Sequence, residues 1–108
     1  MMNNFPRYDR KYICTSVQST YDNPLHDEVM GSVCYPAYIK KGERAWILYQ
    51  YADEKYPHRL HTSTVSDSFM EEILDESGEV VTGYRLTVQT ENTEYIFETS
   101  YKENESGV

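Results

Sequence analysis

His58 and His61 lie three residues apart in the stretch YPHRLHTSTV, residues 56–65, with Arg59 between them. Two imidazoles chelate one metal ion readily when they share a face, at i and i+4 on a helix or i and i+2 on a strand. On the strand that TSTV suggests, a spacing of three sends them to opposite faces. His58 is therefore expected to end a loop and His61 to begin a strand, with no metal site between them. The other candidate ligands, Cys14, Cys34 and His26, are scattered, and no C-x-x-C pair occurs. His26-Asp27-Glu28 lacks the further oxygen ligands that a hard cation needs at defined spacing. A nucleophile built from Cys14 or Cys34 and a histidine needs only nearness in space, so the residue types alone give no specific signal. The adjacent acids Glu71-Glu72 and Asp75-Glu76 read as a solvated run rather than a catalytic pair. Glycine-rich phosphate loops are absent. The expectation is a non-enzymatic protein with no catalytic residue and no cofactor.

The aromatic residues point the other way, toward binding. The chain has eleven tyrosines and one tryptophan in 108 residues. Tyr8, Tyr12, Tyr21, Tyr35, Tyr38, Tyr49, Tyr51, Tyr56 and Trp46 exceed what the core of so short a chain can hold, and exposed tyrosine beside charge is what protein interfaces enrich. The net charge of −8 is placed unevenly. Residues 1–65 hold seven acids and eight bases, whereas residues 66–108 hold eleven acids against Arg85 and Lys102. This asymmetry argues against direct binding of nucleic-acid phosphates, which needs clustered cations, and favours a basic protein surface as partner. A minority reading keeps nucleic acid open, because the bases of the N-terminal half sit among most of those tyrosines.

Frequent tyrosine, threonine and valine, in short apolar runs broken by turn residues, favour strands. KYICTSVQSTY reads as a strand ending at Asp22-Asn23-Pro24, and LHDEVMGS as a loop or single helical turn closed by Gly31. VCYPAYI and RAWILYQY form a hairpin around KKGE, with Gly42 at positive φ, and the second of these strands is central because it is apolar on both faces. Pro36 cannot donate to a ladder, which assigns its strand to an edge or a bulge. SDSFMEEILDESG fits either a short helix near 66–77 or a strand leading into a turn with Gly78 left-handed. The last hairpin alternates Tyr84, Leu86 and Val88 inward, with a bulge at Gly83, turns at Glu91-Asn92 where asparagine tolerates positive φ, and returns with Tyr95 and Phe97 inward. The whole reads as one mainly β domain over 1–108. The expected architecture is a small antiparallel barrel, SH3-like or OB-like, of five or six strands, with a β-sandwich as the alternative and a flexible acidic tail over about 102–108. No apolar run approaches a membrane span or a signal peptide, so a cytoplasmic protein with reduced cysteines is expected.

The order HTSTV, an acidic spacer, then VQTENTEYIFE resembles small uncharacterised β-proteins of phages and mobile elements, a group that includes anti-CRISPR inhibitors. The likeness covers about residues 58–98 and carries no functional residue. It implies an inhibitor that occupies the basic surface of a bacterial nucleic-acid-binding defence nuclease. The partner-binding residues expected from charge and from the excess of tyrosine are Glu71, Glu72, Asp75, Glu76, Glu79, Glu91, Glu94 and Glu98, with Tyr49, Tyr51 and Tyr56 supplying buried contact. The alternative is a small phage or mobile-element assembly protein that self-associates through strand edges.

Overall fold

Period-two alternation dictates most of the chain, and the computed structural model describes residues 11–50 and 54–100. Tyr51 and the tail at 102–108 lie outside the described residues. The elements are β1 (Tyr12–Ser19), α1 (Pro24–Val29), β2 (Val33–Tyr38), β3 (Arg44–Gln50), β4 (His58–Leu74), β5 (Val81–Thr90) and β6 (Thr93–Ser100). All neighbouring strands are antiparallel, and β6 returns to β1, so the six strands close a barrel in plain sequence order. Closure removes the open edges that a flat meander would expose. No helix among the described residues is long and apolar enough to cross a membrane.

The inward positions fill the barrel. Leu86 and Val88 of β5 face Phe97 and Tyr95 of β6, and Phe97 in turn pairs with Cys14 of β1. Tyr12, Cys34, Ala45, Ile47, Tyr49, Leu60 and Val65 complete a core of fully buried side chains. The segment at 66–74 is strand, not helix. Its pairing with β5 from Asp67↔Gln89 to Leu74↔Val81 commits it, and the short helix among the described residues is α1 instead.

Barrel closure is uneven. β1 and β2 share only the pairs Tyr12↔Cys34 and Ile13↔Val33. The rest of that seam is covered by α1, which buries His26 and Val29. Asn23 caps the helix by accepting from Leu25 N at 3.0 Å, and Pro24 supplies the fixed φ of a first helical residue. Gly31, at φ 81°, then turns the chain back so that its amide donates to the Cys14 carbonyl at 2.8 Å. Pro36 is consistent with this layout: β1 does not reach it, and the register of β2 shifts beside it.

The register breaks at several bulges, and hydroxyl side chains occupy four of them. Thr15, Ser66 and Thr82 are the unpaired residues in their strands, and each hydroxyl donates to a carbonyl across the ladder, on Ile96, Gln89 and Ile73 respectively. The extra residue at the start of β5 is thus Thr82, next to Gly83 rather than Gly83 itself, because only a side chain with a hydroxyl meets the carbonyl left over. At the fourth, Thr62 and Ser63 oppose Ala45, and Thr62 Oγ1 accepts from the buried Ala45 amide at 2.9 Å. Thr62→Val is expected to cost about 1–3 kcal/mol, because it strands that amide, while Thr62→Ser should cost far less. Urea denaturation of the two variants measures the difference.

The β5–β6 turn also departs from expectation. No residue other than glycine has positive φ among the described residues, so Asn92 does not use its tolerance. Thr90 stabilises the turn instead: its hydroxyl donates to the Thr93 carbonyl and accepts from the Thr93 amide, both at 3.1 Å. Gly42 and Gly78 do adopt positive φ, at 92° and 78°.

Candidate functional site

β4 is long enough to serve two neighbours in succession. Its first part pairs with β3 from Tyr49↔His58 to Arg44↔Thr64, and its second part, from Val65 onward, pairs with β5. Beyond Ser66 no strand lies on its other side among the described residues. β4 therefore has a free edge over Ser66–Leu74, while β5 on its other side stays paired with β6 over Gly83–Gln89. Side chains alternate strictly along it, so Asp67, Phe69, Glu71 and Ile73 face outward, away from the Met70–Leu86 side that continues the core.

The expected acids do not form one uniform face. Glu71, Glu94 and Glu98 lie outward on β4 and β6, but each has a partner. Arg85 Nε donates to Glu98 at 2.9 Å and Arg85 Nη1 lies 4.0 Å from Glu71, while Gln89 donates to Glu94 at 3.0 Å. Glu91 sits in the turn at the opposite end of β5 from Asp75, Glu76 and Glu79. Glu72 pairs with Tyr84 and so faces the other side from Glu71. The unpaired negative charge collects at the hairpin tip, where Glu72, Glu76 and Glu79 have no cation beside them among the described residues. Asp75 organises that tip. Its Oδ1 accepts from Ser77 Oγ at 2.6 Å and from the amides of Ser77 and Gly78, and these bonds, the Ser77 hydroxyl foremost, hold its carboxyl below the usual carboxylate range.

Exposed apolar side chains accompany this charge. Phe69, Leu74 and Val80 are 39%, 46% and 55% exposed, on a hairpin whose other strand buries Leu86 and Val88 in the core. On the helical alternative Phe69 and Leu74 share one apolar face with Met70 and Ile73, and only the strand at 66–74 exposes them.

Of the tyrosines expected at an interface, Tyr56 is exposed and Tyr49 is not. Tyr49 is 1% exposed because β3 turns it inward, and its hydroxyl donates to Glu28 Oε1 at 3.1 Å. This corrects its assignment as a surface contact: aromatic excess alone does not say which rings go outside.

The outer face of β2, β3 and β4 has a different chemistry. Trp46 pairs with Tyr38 on one side and His61 on the other. The Trp46 and His61 rings stack at 3.9 Å with 15° between planes, and Arg59 lies over the same indole at 5.5 Å. Arg44 donates to the Thr62 carbonyl at 2.6 Å and the His61 carbonyl at 3.3 Å, which anchors the bulge and places the guanidinium beside His61. Loss of water around the stacked imidazole, and then the Arg44 charge, hold His61 below the ordinary histidine value. His58 sits on the opposite side of β4, stacked on Tyr49 at 5.2 Å and bonded to Glu54 at 2.9 Å. The two histidines thus share no ligand face.

Cys14 and Cys34 are free thiols in the core. Burial pushes Cys14 up to about 12, with the neighbouring Cys34 adding to the shift, and pushes Cys34 up to about 11. Both stay protonated near neutrality, whereas a nucleophile must be a thiolate. A cleft of about 730 Å³ opens between the end of β1 and α1, lined by Val17, Ser19, Tyr21, Asp22, His26 and Asp27 among others. The His26 ring stands 5.6 Å from Tyr21 and 6.0 Å from Tyr95 there.

These features define a small up-and-down barrel with two outer faces of opposite character. Comparison of the chain with family models, curated proteins and solved structures gives no match.

Proposed function

We propose that the chain is a non-enzymatic binding protein that docks its β4–β5 hairpin on a basic protein surface. The observation that carries this reading is the hairpin itself: a free strand edge bearing Phe69 and Leu74, with Val80 in the adjoining turn, ringed by Glu72, Asp75, Glu76 and Glu79. Apolar side chains supply contact energy once water is excluded, and the carboxylates steer approach and select a cationic partner. A surface built to hold nucleic-acid phosphates is such a partner, since carboxylates in a row substitute for phosphates. A bacterial defence nuclease, as the resemblance to anti-CRISPR inhibitors implies, fits that description.

A second reading, self-association along the β4 edge, draws on the same unpaired strand. Asp67, Glu71 and Glu72 oppose it, because antiparallel pairing of two copies brings like charges together.

Affinity capture from bacterial lysate, with mass spectrometry, identifies the partner, and binding is then measured with the quadruple variant E72K/D75K/E76K/E79K. The expected loss is about tenfold or more, with a flattened salt dependence. Phe69→Ala with Leu74→Ala should weaken binding while leaving the salt slope in place. Retention of wild-type affinity by the quadruple variant overturns the docking surface. A stable homo-oligomer in sedimentation, with no basic partner captured, favours self-association instead.

A further inference from the structure

The outer face of β2, β3 and β4 plays no part in that reading, and it is where the cations and the flat rings of the chain meet. Strand pairing sets Tyr38, Trp46 and His61 in one row and Leu48 with Arg59 in the next. The imidazole of His61 lies flat on the indole, with the Arg59 guanidinium over the same ring. Arg44 borders the row, and Lys40 and Lys41 stand in the exposed β2–β3 turn. We propose that this face binds an unpaired nucleic-acid strand, whose bases extend the pile of flat groups at Tyr38, Arg59 and His61 and whose phosphates meet Arg44, Lys40 and Lys41.

The chemistry of the face favours this occupant over others. Aromatic and guanidinium planes accept the flat side of any base, and neighbouring cations hold the backbone. His61, neutral near pH 7, suits stacking rather than ion pairing. An acidic protein segment would satisfy the cations and leave the piled rings without a role, and a duplex keeps its base faces hidden. The net charge of −8 opposes such binding only as a chain average. The fold places the acids of residues 66–98 on the second half of β4, on β6 and in the turns, and of these Glu91 comes close to Arg44, its amide donating at 3.1 Å to the carbonyl of Thr64, the strand partner of Arg44. Glu43, which borders the row, is engaged: it accepts from the Tyr38 hydroxyl at 2.6 Å and pairs with Lys40 at 3.4 Å.

Trp46 is the only tryptophan, so its emission reports on this face directly. Titrating the full chain with an oligothymidylate of roughly 12 nucleotides at about 50 mM salt should quench Trp46 and raise the anisotropy of the end-labelled oligonucleotide. Raising salt to about 200 mM should weaken binding about tenfold or more. Arg59→Glu, and separately the K40E/K41E pair, should each bind about tenfold or more weaker at an unchanged melting temperature. The lysine pair lies in an exposed turn, so it remains decisive if the arginine variant misfolds. The proposal is overturned by any of four results: no quenching and no anisotropy change at low salt, wild-type binding by K40E/K41E, displacement of the oligonucleotide by an equal concentration of polyglutamate, or duplex bound as tightly as single strand.

Discussion

Replacing Phe97 with alanine is expected to lower folding stability by about 3–5 kcal/mol. Phe97 is fully buried, pairs with Leu86 on one neighbouring strand and Cys14 on the other, and lies nearly parallel to Tyr95 at 6.3 Å. It thus spans the closure of the barrel, and its removal opens a cavity that three strands line. Domains of this size hold only about 5–15 kcal/mol in total, so the variant should be close to unfolding at room temperature. Phe97→Leu keeps most of the volume and should cost less than about half as much. Chemical denaturation checks both, through a fall in midpoint at constant slope. An alanine variant with the wild-type midpoint would show that Phe97 is not at the centre of the packing.

Alkaline pH is expected to unfold the protein through its buried thiols. In the folded chain burial pushes Cys14 up to about 12 and Cys34 up to about 11, from 9.0 for an exposed thiol. The unfolded state therefore gives up these protons first. Stability from this source is intact below pH 9 and declines as pH rises through the folded values, by roughly 4 kcal/mol from Cys14 alone near pH 12. Tyr95, pushed up to about 12 by burial, acts in the same direction above its ordinary value of 10.0. Urea midpoints in steps from about pH 8 to pH 11 should fall, and replacing Cys14 and Cys34 with alanine should flatten that dependence. A wild-type protein equally stable across the range would contradict the burial of both thiols. Slow alkylation of the folded protein near neutrality is a companion observation, since the thiolate is the reacting form.

How much of this could be read from the sequence depends on where alternation runs unbroken. Tyr84, Leu86, Val88, Tyr95 and Phe97 follow a period of two, and the structure turns Leu86, Val88, Tyr95 and Phe97 fully inward. In β1 the period breaks at Thr15, so Tyr12 and Cys14 are in phase with each other and out of phase with Val17. In β4 the residues Phe69, Met70, Ile73 and Leu74 satisfy helical and strand spacing alike, and only the ladder to β5 decides between them. A signal was present and unread: a serine or threonine sits at four of the breaks. Its hydroxyl replaces the ladder bond that the bulge forfeits, but the partner lies 9 to 81 residues away, where local reasoning does not reach. The candidate site suffered the same limit. Eleven acids in the C-terminal half are evident by counting. That Arg85 and Gln89 occupy three of them, and that Glu91 sits at the far end from Asp75, follows only from register. The Trp46–His61 stack likewise depends on the two-residue step at Thr62 and Ser63, which shifts His61 opposite Trp46.

β4 passes without interruption from one charged face to the other. His61, under the indole, and Glu71, on the hairpin, belong to the same ladder-bonded strand. At about 3.3 Å per residue their separation cannot exceed roughly 33 Å, and the bulges at Thr62–Ser63 and Ser66 bend the strand between them and shorten it further. The strand therefore acts as a ruler. Two molecules held at its two ends are held as neighbours, so each meets the other at an effective concentration that can reach the millimolar range, however dilute both are in bulk. Affinity measured for either face alone then understates how the protein behaves when both are occupied.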